Sequence, residues 1–235
     1  LLLMEMPEGH PHRGHVSHIL QAGQKGAAII QDLLTLARRG VADFSVVNLN
    51  EIVSEYLRSP EFEDLKARHP RAAFATGLEA TLLNILGSPV HLYNTVMNLV
   101  SNAVEALPGA GEVTIGTENR YLDRPVHGYE SIREGDYVVL TVADTGEGIA
   151  PEVLGRIFEP FYSKKVLGRS GTGLGLTVVW GTMKDHRGAI DVRSESGKGT
   201  VFTLYFPVTQ EAPVKDGKTI PQEALRGQGE TILVV

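Results

Sequence analysis

Three short stretches of this chain combine residue types suited to binding metal, amine or phosphate. In the first, Asn98, Asn102 and Glu105 fall at i, i+4 and i+7, so they share one helix face, while Leu92, Val96, Leu99 and Ala103 point elsewhere into a core. An amide oxygen is a hard, neutral ligand suited to Mg²⁺, which keeps waters and shares phosphate oxygens. Taken alone, the same asparagines read more readily as a solvated helix surface. The second stretch, Asp144-Thr145-Gly146-Glu147-Gly148-Ile149, follows the β-branched run Tyr137 to Ala143. A carboxylate at a strand end can accept a hydrogen bond from an exocyclic amine, and glycines let backbone approach a ligand; by itself, Asp-x-Gly is also an ordinary turn. The third, Gly171-Thr172-Gly173-Leu174-Gly175-Leu176, opens a helix. Glycines before a helix start leave N–H groups aligned with the positive end of its dipole, the arrangement that holds phosphate. It has no Gly-Lys-Ser/Thr and does not directly follow a strand, so neither common phosphate fingerprint applies.

Between the second and third stretches lie Phe158-Glu159-Pro160-Phe161-Tyr162 and the basic segment Ser163 to Arg169. An aromatic cluster beside a glycine-bounded basic segment suits a hinged lid over a triphosphate. These stretches need elements to hold them. Phe44 to Leu49, Ala72 to Ala75 and Thr81 to Leu86 read as strands, and Glu51 to Arg58 as a helix. Ser88-Pro89 opens a helix that Pro108-Gly109 ends, with the serine as cap and the proline in the first turn. Glu112 to Arg120 and Tyr137 to Asp144 read as antiparallel neighbours joined by a long polar connection. A helix over Leu174 to His186 precedes a hairpin of Ala189 to Glu195 with Thr200 to Phe206. Helices against one mixed sheet predict a two-layer α/β sandwich.

Upstream, Ile19, Ala22, Gly26, Ile29, Leu33 and Leu36 follow the three-and-four spacing of a coiled-coil seam, and Ile30, Leu34 and Ala37 add a second stripe. The face is wide enough for a helical bundle; packing on the rest of the chain is the plainer alternative. At 235 residues and 42% hydrophobic, the chain can bury one substantial core plus an appendage. A net charge of −6 argues against a general nucleic-acid binder. The lack of cysteine excludes thiolate ligands, disulfides and cysteine nucleophiles, and is compatible with a reducing cytoplasm. No apolar run approaches the ~20 residues of a membrane span.

In order and spacing, the stretches resemble the histidine kinases of the GHKL superfamily. Asn98-Leu-Val-Ser-Asn102-Ala matches its N box, Asp144-Thr-Gly-Glu-Gly148 its first glycine box, Phe158-Glu-Pro-Phe161 its F box and Gly171-Thr-Gly-Leu-Gly175-Leu its second glycine box, while Gly197-Lys-Gly-Thr200 looks like its final turn. The resemblance covers residues 17 to 206 and implies the Bergerat ATP-binding fold with helices on one face of the sheet. It implies ATP and Mg²⁺ as cofactors, with Asn98 and Asn102 in the catalytic set and Asn102 as the metal ligand. Asp144 would take the adenine amine with Thr200 nearby, and Gly146 and Gly148 would let the base sit close. Phe158 belongs to the F box, and Gly171, Thr172, Gly173, Leu174 and Gly175 would serve the phosphates. Lys165 falls where such kinases carry a lysine near the γ-phosphate. Lys164 replaces the usual hydroxyl residue, so either lysine is a candidate for that contact.

The same resemblance divides the chain. Residues 1–41 would be the end of a dimerisation and phosphotransfer hairpin, 42–208 the catalytic domain, 209–229 a linker and 230–235 the first strand of a receiver domain. The phospho-acceptor histidine is expected upstream of Leu1. His10, His12, His15 and His18 lack its acidic neighbour and read as solvated. A homodimer through the hairpin, a response-regulator receiver as partner, no nucleic acid and a cytoplasmic location are the further expectations. Two rival readings are a GHKL ATPase and a nucleotide-holding regulatory module. The hydrolases place a glutamate base one turn before the metal-binding asparagine; Asn98 stands there and cannot act as a base at neutral pH.

Overall fold

The structure, a computed structural model, describes residues 3, 6–7, 9–37, 43–162 and 173–211. Lys164, Lys165, Gly171, Thr172, linker residues 212–229 and the expected receiver strand 230–235 lie outside the described residues. In chain order the elements are α1 (Arg13–Ala37), β1 (Ser45–Val47), α2 (Leu49–Leu57), α3 (Pro60–Arg68), β2 (Ala72–Leu78), β3 (Ile85–Gly87) and α4 (Pro89–Glu105). They continue with β4 (Gly111–Leu122), β5 (Val126–His127), β6 (Ser131–Ile132), β7 (Gly135–Asp144), α5 (Pro151–Leu154), α6 (Gly175–Asp185), β8 (Ala189–Glu195) and β9 (Gly199–Pro207).

Five strands form one sheet in the order β2-β4-β7-β9-β8, with β2 and β4 parallel and every other pair antiparallel. Period-two alternation divides its faces. Val138, Leu140 and Val142 of β7 and Phe202, Leu204 and Phe206 of β9 point to the face that carries the main core. There they meet Leu92, Val96, Leu99, Val100 and Ala103 of α4. Each such fully buried aliphatic side chain contributes about 1.5–3 kcal/mol, which fixes α4 against the sheet. The mixed sheet with helices on one face is the expected two-layer sandwich.

Several local expectations need correcting. The Phe44 to Leu49 strand is only Ser45–Val47, because Asn48 caps α2 by accepting the Asn50 amide at 3.0 Å. The Thr81 to Leu86 strand shrinks to Ile85–Gly87, paired with β1. Ser88 stands at the N-cap of α4, but its hydroxyl makes no cap bond; instead its N–H donates to Nε2 of His186 at 3.0 Å. The helix α3 was not expected, nor was the β5–β6 hairpin inside the polar connection.

Candidate functional site

Strand parity builds the floor of the site. Asp144 shares its face of β7 with Val138, Leu140 and Val142, and Thr200 shares its face of β9 with Phe202 and Leu204. The antiparallel register pairs Asp144 with Thr200 directly. Both therefore point toward the helices, and both are buried. Asp144 Oδ1 accepts the amides of Gly146 at 2.8 Å and Thr200 at 3.3 Å. Both backbone bonds go to Oδ1, which leaves Oδ2 for a donor in the cavity. Burial raises the Asp144 pKa above its ordinary value, outweighing the two amide bonds that act the other way.

Above this floor lies a cavity of about 340 Å³. Asn102, Ala103, Glu105 and Ala106 line it from α4; Ile149, Val153, Ile157, Tyr162 and Leu176 supply an apolar wall. Apolar surface with a buried carboxylate at its floor, that of Asp144, is the lining expected around a flat heterocycle that carries an amine. A larger concavity of about 490 Å³ surrounds Phe44, Leu86, His186 and Val208, and none of the predicted site residues lines it.

The turn after Asp144 is held from three sides. Thr145 N–H donates to Glu112, Glu147 N–H to Ala106 at the end of α4, and Gly197 N–H to the Glu147 carbonyl at 2.7 Å. Two glycines make this packing feasible. A Cβ on Gly146 would stand 2.5 Å from the Ala106 carbonyl oxygen. Gly148 adopts φ +68° with the Glu195 carbonyl where a side chain would begin. Ser194, which the sequence offered no means of singling out, bridges the region: its hydroxyl lies 2.9 Å from that of Thr200 and accepts the Ile149 amide at 2.7 Å.

On α4, Thr95 Oγ1, Asn98 Nδ2 and Asn102 Nδ2 are buried and have no hydrogen-bond partner among the described residues. They fall at i, i+3 and i+7, one face of the helix. A buried polar group without a partner costs about 1–3 kcal/mol; of the three residues, Asn102 lines the cavity and Thr95 is fully buried. Asn98 also faces the start of α6: a Cβ on Gly175 would come within 3.1 Å of its Oδ1. Leu174 is fully buried at the N-cap position of α6, and Gly173 precedes it at φ +70°.

Phe158 does not line the cavity. It packs in an aromatic cluster, 4.9 Å from Trp180 and 5.2 Å edge-on from Tyr129. Its neighbours Ile157 and Tyr162 reach the cavity instead; Tyr162 belongs to the aromatic cluster read from sequence, and Ile157 was not singled out there. The geometry thus brings together Asn102, Asp144, Gly148 and Thr200 around one cavity, with Asn98 beside Gly175 at its flank. The described residues hold no cluster of three or more metal-ligating His, Cys, Asp and Glu side chains.

Residues 87–210 match the family model described as "Histidine kinase-, DNA gyrase B-, and HSP90-like ATPase". The chain is 32% identical over 249 aligned positions to the sensor kinase CckA of Brucella abortus, covering all of this chain and 25% of that protein. It is 34% identical over 180 positions to the sensor histidine kinase ZraS of Salmonella typhi, covering 77% of this chain and 35% of the relative. The chain therefore spans about a third or less of the length of these relatives. Among solved structures, full-length ShkA in complex with AMPPNP superposes with a TM-score of 0.65 at 27% identity, over 91% of this chain and 42% of ShkA.

Proposed function

Because this chain belongs to the family of histidine kinase-, DNA gyrase B- and HSP90-like ATPases, we propose that it binds Mg-ATP in the cavity above Asp144 and delivers the γ-phosphoryl group to a histidine, from which a receiver aspartate takes it. It carries the ATP-binding catalytic domain of a sensor histidine kinase. The observation that carries the reading is the Asp144–Thr200 pair at the floor of an apolar cavity. Asp144 Oδ2 accepts the adenine amine, while Gly146 and Gly148 let the turn after Asp144 pack close against the Ala106 and Glu195 backbone. Asn102, whose side chain lines the cavity, offers its amide oxygen as the ligand for Mg²⁺, and Asn98 stands beside the first residue of α6.

Bound Mg²⁺ would supply charge neutralisation to the phosphates. The protein's own part is positioning and electrostatics, since phosphoryl transfer needs little covalent help. Lys164 or Lys165 and the glycines Gly171 and Thr172's neighbour Gly173 are the proposed phosphate contacts. Asn98 at the position of the hydrolases' base favours transfer to an acceptor over transfer to water. The domain division at 41/42 and 208/209, dimerisation through the helical hairpin and a cytoplasmic location belong to the same proposal. Among the described residues, no helix is long and apolar enough to cross a membrane.

Calorimetric titration with ATP, GTP and ATP plus EDTA tests the site. ATP should bind in a magnesium-dependent manner and GTP poorly. Equal affinity for ATP and GTP overturns the adenine assignment. Phosphotransfer is tested by adding labelled ATP to a mixture of this chain and a separately supplied acceptor helix, with acid-labile, base-stable label as the expected product. Release of inorganic phosphate without such label favours an ATPase instead.

A further inference from the structure

Beyond the nucleotide motifs, the outer edge of the sheet carries a brace. β8 is an edge strand, and an edge strand leaves backbone donors and acceptors to be covered. The β5–β6 hairpin straddles it. On the helix-free face, Val126 and Ile132 pack with Leu122, Val139 and Tyr205 in a small apolar cluster. On the other face, Tyr129 at the hairpin's tip packs against the main core.

Two carboxylates pin the tip in place. Tyr129 N–H donates to Asp191 Oδ1 at 3.0 Å, and Asp191, buried, pairs through Oδ2 with Arg193 at 3.1 Å. Ile190 N–H of the edge strand donates to Glu130 Oε2 at 2.9 Å, while the other oxygen of Glu130 pairs with Lys184. Gly128 leaves room for Asp191, whose Oδ1 occupies the place a Cβ would take. So fixed, the Tyr129 ring meets Phe158 edge-on at 5.2 Å and Trp180 at 6.1 Å. Phe158 is also held by its carbonyl, which accepts the Thr177 hydroxyl of α6 at 3.1 Å.

We propose that Tyr129 is a positioning residue for the nucleotide: through Phe158 it sets where Ile157 and Tyr162 stand along the cavity wall, so one ring braces the site against the sheet edge. This rests on the cavity being the nucleotide site. Tyr129 itself does not line the cavity and acts only through its neighbour. Trp180, the single tryptophan of the chain, stacks on the same Phe158 and reports the brace without any chemical step.

The test uses the full 235-residue chain and four forms: wild type, Tyr129→Ala, Tyr129→Phe and Ile132→Ala. Tyr129→Ala should lower Mg-ATP affinity roughly three- to tenfold, the loss of an aromatic pair expressed as a binding constant, and Tyr129→Phe should restore it. Ile132→Ala weakens the same hairpin from its other face, so its melting temperature should fall while its ATP affinity holds. Trp180 emission should respond to Mg-ATP in wild type and respond less in Tyr129→Ala. If Tyr129→Ala does not fold, Tyr129→Leu keeps apolar volume without the edge-on ring and should show the same loss. Unchanged affinity in the folded Tyr129 variants, or an equal loss in Ile132→Ala, overturns the positioning role. Absence of ATP binding in wild type overturns the nucleotide reading itself and this inference with it, an outcome distinct from the other two.

Discussion

The amide of Phe161 donates to the carbonyl of Gly173 at 2.9 Å, and both residues lie in the left-handed backbone region, at φ 64° and 70°. The bond ties the residue before Tyr162 of the cavity wall to the turn that precedes α6.

This contact makes the two positions unequal. A Cβ on Gly173 would stand 2.7 Å from the carbonyl carbon of Phe161. Gly173→Ala should cost at least ~1–2 kcal/mol for the left-handed conformation alone, more for the collision, and should weaken ATP. Phe161→Gly removes strain of about 1–3 kcal/mol while adding glycine's entropy cost of roughly 0.5–1 kcal/mol. It should leave stability unchanged or raised, because the Phe161 side chain is exposed. Denaturant midpoints of the two variants decide the matter; equal destabilisation would sink the argument.

Asp144 gives a prediction in which stability and binding move in opposite directions. Its folded pKa is raised by burial. A raised carboxyl contributes stability that is full below the unfolded value of about 3.9 and lost as pH rises through the folded pKa, so at neutral pH the buried charge is a cost. Asp144→Asn keeps Oδ1 for the Gly146 and Thr200 amides but puts an NH₂ where Oδ2 was. Without nucleotide, the variant should melt at or above wild type at pH 7, with the advantage shrinking toward pH 4. Its ATP affinity should fall by about 1–3 kcal/mol. A variant that both melts lower and binds ATP normally would contradict the assignment on both counts.

His186 couples α6 to the start of α4. Its Nδ1 lies 2.7 Å from the Thr182 carbonyl and so carries the proton, while Nε2 accepts the Ser88 N–H at the start of α4. A second proton would set two donors face to face. Burial lowers the His186 pKa below its ordinary 6.5, and His91 lowers it further, against Thr182 and Asp185, which raise it. A depressed histidine contributes stability that is present above the unfolded pKa and lost as pH falls through the folded one. The melting temperature should therefore drop as pH falls below about 6.5. His186→Gln, which can still accept from Ser88, should flatten that slope; an unaltered slope would assign it to other groups.

What could be read from sequence was what local geometry decides. Asp144 at a strand end and Gly146 and Gly148 as sites of close backbone approach were legible from local pattern. Thr200 came only from the resemblance, because the β7–β9 register that sets it opposite Asp144 cannot be read from sequence. The role of Ser88 was not, since its N–H goes to His186, far along the chain. Phe158 was read as a ligand contact because its motif gives order, not direction; its ring turns to Trp180 and Tyr129. α3 has full start and stop signals, with Ser59 accepting the Phe62 amide, Pro60 in the first turn and Lys66 and Arg68 in the last. Its short apolar set, Phe62 and Leu65, gave no period to read. The β5–β6 hairpin has two-residue strands, so its existence depends on docking against β8 and the core.

Asn102 carries the sharpest test of the metal role. In most proteins, truncating a half-buried polar side chain on a packed helix costs stability, because its hydrogen bonds go with it. Here Asn102 Nδ2 is buried with no partner among the described residues, so Asn102→Ala removes an unsatisfied donor, worth about 1–3 kcal/mol. That gain offsets the small cavity the change leaves, and the variant should melt close to wild type in the absence of nucleotide. With Mg-ATP the two should diverge. A ligand that binds only the folded state adds RT ln(1 + [L]/Kd), about 2.7 kcal/mol at a hundredfold excess over Kd, so wild type should gain several degrees. Asn102→Ala should gain little, and its residual response should no longer depend on magnesium, because the amide oxygen proposed as the metal ligand is gone. Melting curves with ATP alone, Mg-ATP and EDTA measure all three conditions. A full magnesium-dependent shift in Asn102→Ala would move the metal ligand elsewhere on the cavity wall, with Glu105 the next side chain along the same face of α4.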